Sequence, residues 1–129
     1  MPDVVVTVPK NFRYDNKKGL AAWISEGDAA GDAPSGLLWE FNTGGTKPKI
    51  EPGDRVYVVC EGKLRGYAPL VELRFIPSDK SPHRGRISFI RGGDAVAVTI
   101  EKPIRGFQGW RYRWWERDDE MPFPDWKSP

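Results

Sequence analysis

Short apolar runs separated by turn residues extend along most of the chain, and this pattern predicts a mainly β fold. The β-branched run Val4–Val8 is expected to be a buried strand. Residues 55–60 and 63–73 are two further strand-like runs, and the Glu61-Gly62 pair between them is typical of a tight turn. We therefore expect a β-hairpin over residues 55–73.

A second hairpin is predicted where residues 86–90 and 94–100 alternate between apolar and polar on either side of a Gly-Gly pair. Residues 37–41 predict another strand. The polar segments between these runs are rich in turn-forming residues and are expected to be loops, at 28–36, 42–49 and 78–85.

One segment, residues 18–27, predicts a helix. Leu20, Trp23 and Ile24 fall on one face at helical spacing, and Gly27 suits a left-handed C-terminal cap. Trp23 is expected to pack in the core. With this one predicted helix among many predicted strands, the fold class is mainly β (α+β).

Six or seven short strands with turns between them favour a closed or nearly closed β-barrel with one or two short helices. We assign residues 1–117 to this barrel domain. Residues 118–129 carry four acidic residues and three prolines, and they are expected to form a tail that packs on or near the barrel.

Composition narrows the possible chemistry. The 129 residues include one cysteine, Cys60, and one histidine, His83, so a disulfide, a cysteine-based zinc cluster and a His-dependent catalytic triad are all disfavoured. We expect no metal site and no cofactor. No apolar run approaches the roughly 20 residues that span a bilayer, and the N-terminal segment does not resemble a secretory signal. A cytoplasmic protein that does not associate with membranes is the expectation.

Charge is distributed unevenly along the chain although the overall net charge is only +2. Residues 1–62 carry a net −2, residues 63–117 a net +7, and the tail a net −3. A basic second half favours partners that bear phosphates. The alternative is that these arginines are solvated side chains on the outer faces of strands.

The stretch GFQGWRYRWWER, residues 106–117, interleaves aromatic rings with arginines. Strand alternation places Trp110, Tyr112 and Trp114 on one face, which is expected to point into the core. The opposite face carries arginines and Trp115, a side chain that either stacks on a base or is covered by the acidic tail. The predicted contacts with a nucleic-acid backbone come from Arg65, Arg105, Arg111 and Arg113.

The segment IEPGDRVYVVCEGKLRGYAPLVEL, residues 50–73, resembles the PUA-like superfamily, which includes the ASCH, EVE and YTH domains. The resemblance is carried by a Pro-Gly-Asp turn, a strand that ends in a cysteine, and a return strand that carries Gly66. It implies a small PUA-like β-barrel. The Gly-x-Lys…Glu-x-Arg signature of ASCH domains is not found near the first helix, so no subfamily is identified.

The resemblance also implies a cleft beside the barrel that accepts a flipped or modified base of RNA or DNA. Mapped onto this chain, it implies a pocket lined by Trp39, Lys63, Arg65 and Tyr67, with Phe12 and Trp23 as walls. Glu40 could accept a hydrogen bond from an exocyclic amine. The alternative for Trp39 is a core position.

Two other functions remain open. The first is an ASCH-like hydrolase acting on a nucleoside or RNA, in which Lys63 or Lys10 works with Glu72 or Glu40. The second is a protein-interaction module anchored by the aromatic-rich tail. A binding module is preferred over an enzyme because the sequence offers no convincing catalytic set.

Overall fold

The computed structural model describes residues 2–26, 38–92 and 95–129. Among the described residues 48% lie in strands and 9% in helix, so the predicted mainly β class is confirmed. The elements are β1 (Val4–Val8), β2 (Arg13–Tyr14), β3 (Lys17–Lys18), α1 (Gly19–Glu26), β4 (Leu38–Thr46), β5 (Arg55–Cys60), β6 (Lys63–Pro77), β7 (Arg84–Gly92), β8 (Val98–Thr99), β9 (Trp110–Tyr112), a 3₁₀ turn (Arg117–Asp119) and β10 (Met121–Pro122).

Six strands form one curled sheet, a half-barrel, in the order β4-β7-β6-β5-β1-β9. β1 runs parallel to β5, and every other neighbouring pair in this sheet is antiparallel. β1 is paired on both sides over its first half, and its valines are buried because apolar side chains pack on both faces of the sheet. β9 reaches only as far as Val6, so the last two residues of β1 have no strand on that side.

The two edges of the sheet, β9 and β4, approach each other through side chains. The indole Nε1 of Trp110 donates to the carbonyl oxygen of Thr46 at 2.8 Å. The backbone N–H of Lys49 donates to the hydroxyl of Tyr112, also at 2.8 Å. These hydrogen bonds join the edges near one end of β4, and the edges stay apart beside the second half of β1.

Buried side chains form a separate apolar cluster on each face of the sheet. One contains Val4, Val6 and Val8 with Trp23 of α1 and Trp126 of the C-terminal segment. The other contains Val5, Tyr57, Val59, Leu64, Ile104 and Trp115. The rings of Trp23 and Trp126 meet edge to face at 5.8 Å, so the C-terminal segment supplies part of the core.

The predicted hairpin over 55–73 is confirmed as β5 and β6. Glu61 and Gly62 both have positive φ, 49° and 81°, as a two-residue type I′ turn requires. The preceding Pro-Gly-Asp turn is held by Asp54, whose carboxylate accepts the backbone N–H of Glu51 at 2.8 Å. The motif that carried the family resemblance therefore has a structural role here.

The predicted second hairpin is wrong. β7 pairs with β4 on one side and β6 on the other, and β8 pairs with β10 from the tail. The segment 42–49 is not wholly a loop, because β4 continues to Thr46 along β7. Alternation alone did not identify the partners of these strands, which come from distant parts of the chain. The predicted loop at 28–36 and the cap Gly27 lie outside the described residues.

Candidate functional site

A cleft opens where the two edges of the sheet stay apart, between the end of β1 and the middle of β4. We call it the seam cleft. It encloses about 560 Å³, within the roughly 300–1,000 Å³ typical of small-molecule sites. It is lined by Val6, Thr7, Val8, Pro9, Phe12, Trp23, Glu40, Phe41, Asn42, Thr43, Phe107, Gln108 and Gly109.

Aromatic side chains supply most of the flat surface in the seam cleft. Phe12, Phe41 and Phe107 are half-buried, and Trp23 is buried beneath them. Phe41 points inward from β4, where it packs against the core cluster that contains Trp23. Half-buried rings of this kind combine a fixed position with a surface that a planar ligand can contact.

Polar residues line the rim of the cleft: Glu40 and Asn42 alternate with Phe41 along β4, so their side chains project on the opposite face of that edge strand. Glu40 and Gln108 are exposed. Asn42 uses its side-chain oxygen to accept the hydroxyl of Ser88 at 2.6 Å, so the NH₂ group is what it would offer to a ligand. The cleft thus has the Gln108 amide among its lining residues, and the Glu40 carboxylate and the Asn42 amide lie at its rim on the edge strand. Few polar groups around aromatic walls suit the recognition of a planar heterocycle.

An outer groove continues from the seam cleft on the β1 side. It shares Thr7, Val8, Pro9, Phe107 and Gln108 with the cleft and adds two cations, Lys10 and Arg105. Its one acidic side chain, Glu61, accepts the backbone N–H of Leu20 at 3.2 Å. The geometry therefore places positive charge beside an aromatic cleft.

Only some of the residues predicted to form the base pocket lie together in the structure. Glu40 lines the seam cleft, as do the predicted walls Phe12 and Trp23. Lys63 and Tyr67 do not line it, because they lie on β6, which β7 separates from β4. The side chain of Trp39 is outside the described part of the structure. The cleft lies at the seam of the sheet and away from the central hairpin.

Tyr67 and Lys63 have other contacts. The Tyr67 ring lies 5.2 Å from that of Tyr57, and the Arg55 guanidinium stands over it at 4.1 Å. The Lys63 ammonium donates to the carbonyl oxygen of Pro129 at 2.9 Å. Both side chains therefore support the packing of the central hairpin and the C-terminal segment.

The four predicted phosphate contacts divide into two groups. Arg105 and Arg111 are exposed, and neither forms an ion pair with any residue that the structure describes. Arg111 lies over the ring of Phe107 at 4.4 Å. These two guanidinium groups remain available to a polyanion.

Arg65 is a correction, because its side chain is fully buried. It donates to the carbonyl oxygens of Cys60 and Trp126, each at 2.9 Å, and also to that of Ser128. A β-bulge accounts for this position: Val58 pairs with Gly66 and Val59 with Leu64, which leaves Arg65 as the extra residue and breaks the expected alternation. Arg65 anchors the C-terminal segment and cannot reach a phosphate.

Arg113 and Trp115 are also corrections. The Arg113 guanidinium bonds the buried carboxylate of Asp3 at 3.0 Å, and it donates to the carbonyl oxygen of Trp115. Trp115 is only 8% exposed, and its indole N–H donates to Glu120 at 2.9 Å. The acidic tail covers this ring, which was one of the two outcomes that the sequence left open.

The expected inward face of the aromatic stretch is wrong as well. Trp114 is 52% exposed and Tyr112 is 42% exposed, while Trp110 is half-buried. Strand β9 ends at Tyr112, so alternation no longer governs Trp114 and Trp115. The stretch therefore exposes Trp114, which was expected in the core, and buries Trp115, for which both outcomes had been left open.

The residues of the hydrolase alternative are not assembled. Lys63 contacts Pro129, Glu72 pairs with Arg74, and Lys10 lines the outer groove. Burial raises the pKa of the Cys60 thiol to about 12, so it is protonated at neutral pH and is a poor nucleophile. Among the described residues, no group of three or more His, Cys, Asp or Glu side chains could hold a metal ion.

Sequence analysis missed two residues of this region, Phe107 and Gln108. Both lie in the loop before β9, where no periodicity points to a role. The signal that could have found them is the pair of glycines that flanks them, since Gly109 has φ 75° and directs the chain back toward β4.

Comparison with known proteins identifies a family without assigning an activity. The family model described as "Protein of unknown function (DUF1489)" matches residues 11–122, most of the chain, and the chain belongs to that family. No curated protein and no solved structure matches it. No helix among the described residues is long and apolar enough to cross a membrane.

Proposed function

We propose that this member of the DUF1489 family binds single-stranded nucleic acid and holds one unpaired or modified base in the seam cleft. The observation that carries the proposal is the seam cleft itself, an aromatic-walled space with a carboxylate and amides among its lining residues. A base needs flat surface for stacking and polar groups for its Watson–Crick edge. The flat surface lies within the cleft, and Glu40, Asn42 and Gln108 supply polar groups along its rim.

The available cations support a nucleic acid over an uncharged heterocycle. Lys10 and Arg105 line the groove that continues from the seam cleft, and Arg111 stands over Phe107, which lines both spaces. A strand whose base enters the cleft would run its backbone past these groups. Neutralising phosphates releases counterions, so this contact would supply much of the affinity.

The resemblance of residues 50–73 to the PUA-like superfamily implies a barrel with a base-binding cleft at its side, which supports the kind of ligand proposed, but the lining that it implied at Lys63, Arg65 and Tyr67 is not part of the seam cleft. We also propose that this chain is related to that superfamily, on the basis of the Pro-Gly-Asp turn and the hairpin that follows it. The curled sheet with its one helix is the kind of domain expected.

Titration of fluorescently labelled oligonucleotides tests the proposal. We expect the protein to raise the anisotropy of single-stranded RNA or DNA at low salt, to bind the matching duplex more weakly, and to lose affinity steeply as salt increases. If single strands of mixed sequence show no binding at low salt, the proposed function is wrong.

A further inference from the structure

A second recess is lined by Trp114, whose ring contacts Phe107 of the seam cleft. We call it the Trp114 recess. It encloses about 620 Å³ and is lined in part by Lys102, Arg105, Arg111, Trp114 and Met121. Two carboxylates, Glu101 and Asp119, also line it, so cations outnumber acids by one.

Trp114 offers this recess an unusually accessible indole. It is 52% exposed, whereas Trp115 beside it is 8% exposed. Its contacts with Phe107 and Trp115 have centroid distances of 6.2 and 5.0 Å and interplanar angles of 66° and 85°. Both neighbouring rings are thus steeply inclined to Trp114, and neither lies flat on it. An exposed indole of this kind can stack on a base.

Phe107 and Arg105 connect the two sites. The Phe107 ring lines the seam cleft and contacts Trp114. Arg105 lines both the outer groove and the Trp114 recess, and Arg111, which also lines the recess, lies over Phe107. An aromatic ring (Phe107), a pair of guanidinium groups (Arg105 and Arg111) and a second aromatic ring (Trp114) therefore lie next to one another on the protein. This arrangement matches the base, phosphate and base of a dinucleotide.

We propose that the Trp114 recess is a second base-stacking site, occupied by a nucleotide adjacent in the strand to the one in the seam cleft. Arg105 and Arg111 contact the phosphate between the two bases. This inference rests on the proposed function and specifies its ligand as a stretch of at least two unpaired nucleotides. The unpaired cations next to the indole favour a nucleic acid over an apolar protein segment at this site.

A length series tests the inference. Affinity of the wild-type protein is measured for a mononucleotide, a dinucleotide and a trinucleotide of one base. We expect a clear rise from one to two nucleotides. Trp114→Ala should reduce dinucleotide affinity by roughly 5- to 150-fold, the cost of one lost stacking contact, and leave mononucleotide affinity unchanged. Trp114→Phe keeps a smaller ring and should show a smaller loss.

Ile76→Ala is the control, because Ile76 is an exposed apolar side chain that does not line the Trp114 recess, and its affinities should equal those of the wild type. Thermal unfolding shows that each variant is folded. If Trp114→Ala does not fold, Trp114→Phe and quenching of indole fluorescence by the dinucleotide provide the same comparison.

The possible failures are distinguishable. If the wild-type protein binds neither short nor long single strands, the proposed function is wrong and this inference falls with it. If long single strands bind, but Trp114→Ala binds the dinucleotide as tightly as wild type, only the second site is overturned. The recess would then be free for a different partner, such as a protein.

Discussion

The indole N–H of Trp110 donates to the carbonyl oxygen of Thr46 at 2.8 Å and thereby joins the two edges of the curled sheet. Trp110 lies on β9 and Thr46 ends β4, so this bond spans the opening beside which the seam cleft lies. Gly109, just before Trp110, comes close to the carbonyl of Gly44, which lies on β4 as Thr46 does. The contact limits how far the edges can separate and so maintains the width of the cleft.

Trp110→Phe should weaken this closure. The substitution keeps a ring in place but removes the donor, and one hydrogen bond of this type contributes about 0.5–1.5 kcal/mol. Chemical denaturation should show a loss of free energy of unfolding in that range, and oligonucleotide affinity should fall because the cleft is less well held. Tyr14→Phe, on the β2–β3 hairpin away from the edges, should change neither. A Trp110→Phe protein with wild-type stability would contradict the closure.

Arg105→Ala and Arg111→Ala should each weaken binding to all single-stranded sequences alike. Each variant removes one phosphate contact, so the slope of log affinity against log salt should decrease in magnitude by about 0.7. Both side chains are exposed, and the free energy of unfolding should therefore stay near that of wild type. Arg86→Ala removes an exposed arginine of β7 outside the outer groove and the Trp114 recess, and it supplies the matched control. Equal effects from all three variants would show that the binding is not localised.

Glu40→Gln should alter base preference more than overall affinity. The carboxylate only accepts hydrogen bonds, so it suits bases with an exocyclic amine, such as adenine and cytosine, whereas Gln replaces one acceptor oxygen by an NH₂ donor that can also bond the oxygens of uracil. Competition between oligonucleotides of adenine, cytosine and uracil should show a preference of wild type for the first two that decreases in the variant. The salt dependence should change little, because Glu40 contacts no phosphate in this account. An unchanged order of preference would exclude Glu40 from base recognition.

The sequence predicted elements better than their arrangement. The strand Val4–Val8, the hairpin with its Glu61-Gly62 turn and the helix before residue 27 are all confirmed, since each is specified by local pattern and turn chemistry. The pairing of β7 with β4 and of β8 with β10 was missed, because it depends on contacts between distant segments.

Side-chain orientation failed where the backbone departs from regular alternation. A bulge directs Arg65 inward, and the end of β9 exposes Trp114 while the tail buries Trp115. Of the predicted site residues, Glu40 lines the seam cleft, and Arg105 and Arg111 line the Trp114 recess. Composition could identify the residue types of the site, but the position of the cleft follows from the incomplete closure of the sheet.

Trp126→Ala should strongly destabilise the protein. Trp126 is 5% exposed, contacts Trp23 edge to face, and its carbonyl oxygen accepts a bond from Arg65. Replacing a buried indole by alanine costs about 3–5 kcal/mol, which denaturant unfolding can measure. Asp125→Ala, at the exposed neighbouring position, should have little effect. A small loss in Trp126→Ala would mean that the C-terminal segment is not part of the core.

Asp3 should make the free energy of unfolding depend on pH in the acidic range. Burial raises the pKa of its carboxyl, but the backbone N–H of Arg55 and the guanidinium groups of Arg117 and Arg113 outweigh burial and hold the pKa below its ordinary value of 3.8. Folding favours the ionised carboxylate. Its contribution to the free energy of unfolding is therefore complete above the ordinary pKa and is lost as pH falls through the lower pKa of the folded protein.

Asp3→Asn should therefore lose about 3 kcal/mol at neutral pH, as expected when one partner of a buried ion pair is removed. Its difference from wild type should shrink below about pH 4 as the wild-type carboxyl becomes protonated. Unfolding measured from pH 2 to 7 checks this, with Asp118→Asn, an exposed acid, as the control. A difference that stays constant with pH would exclude the ion pair as the cause.

Nuclear magnetic resonance of the labelled protein with a short single-stranded oligonucleotide tests the base in the seam cleft most directly. The account predicts intermolecular contacts between base protons and the ring protons of Phe41 and Phe107, together with shifts at Glu40 and Gln108. If the oligonucleotide binds but these contacts are absent, with all shifts confined to surfaces remote from the seam, the base is bound elsewhere and the central claim is contradicted.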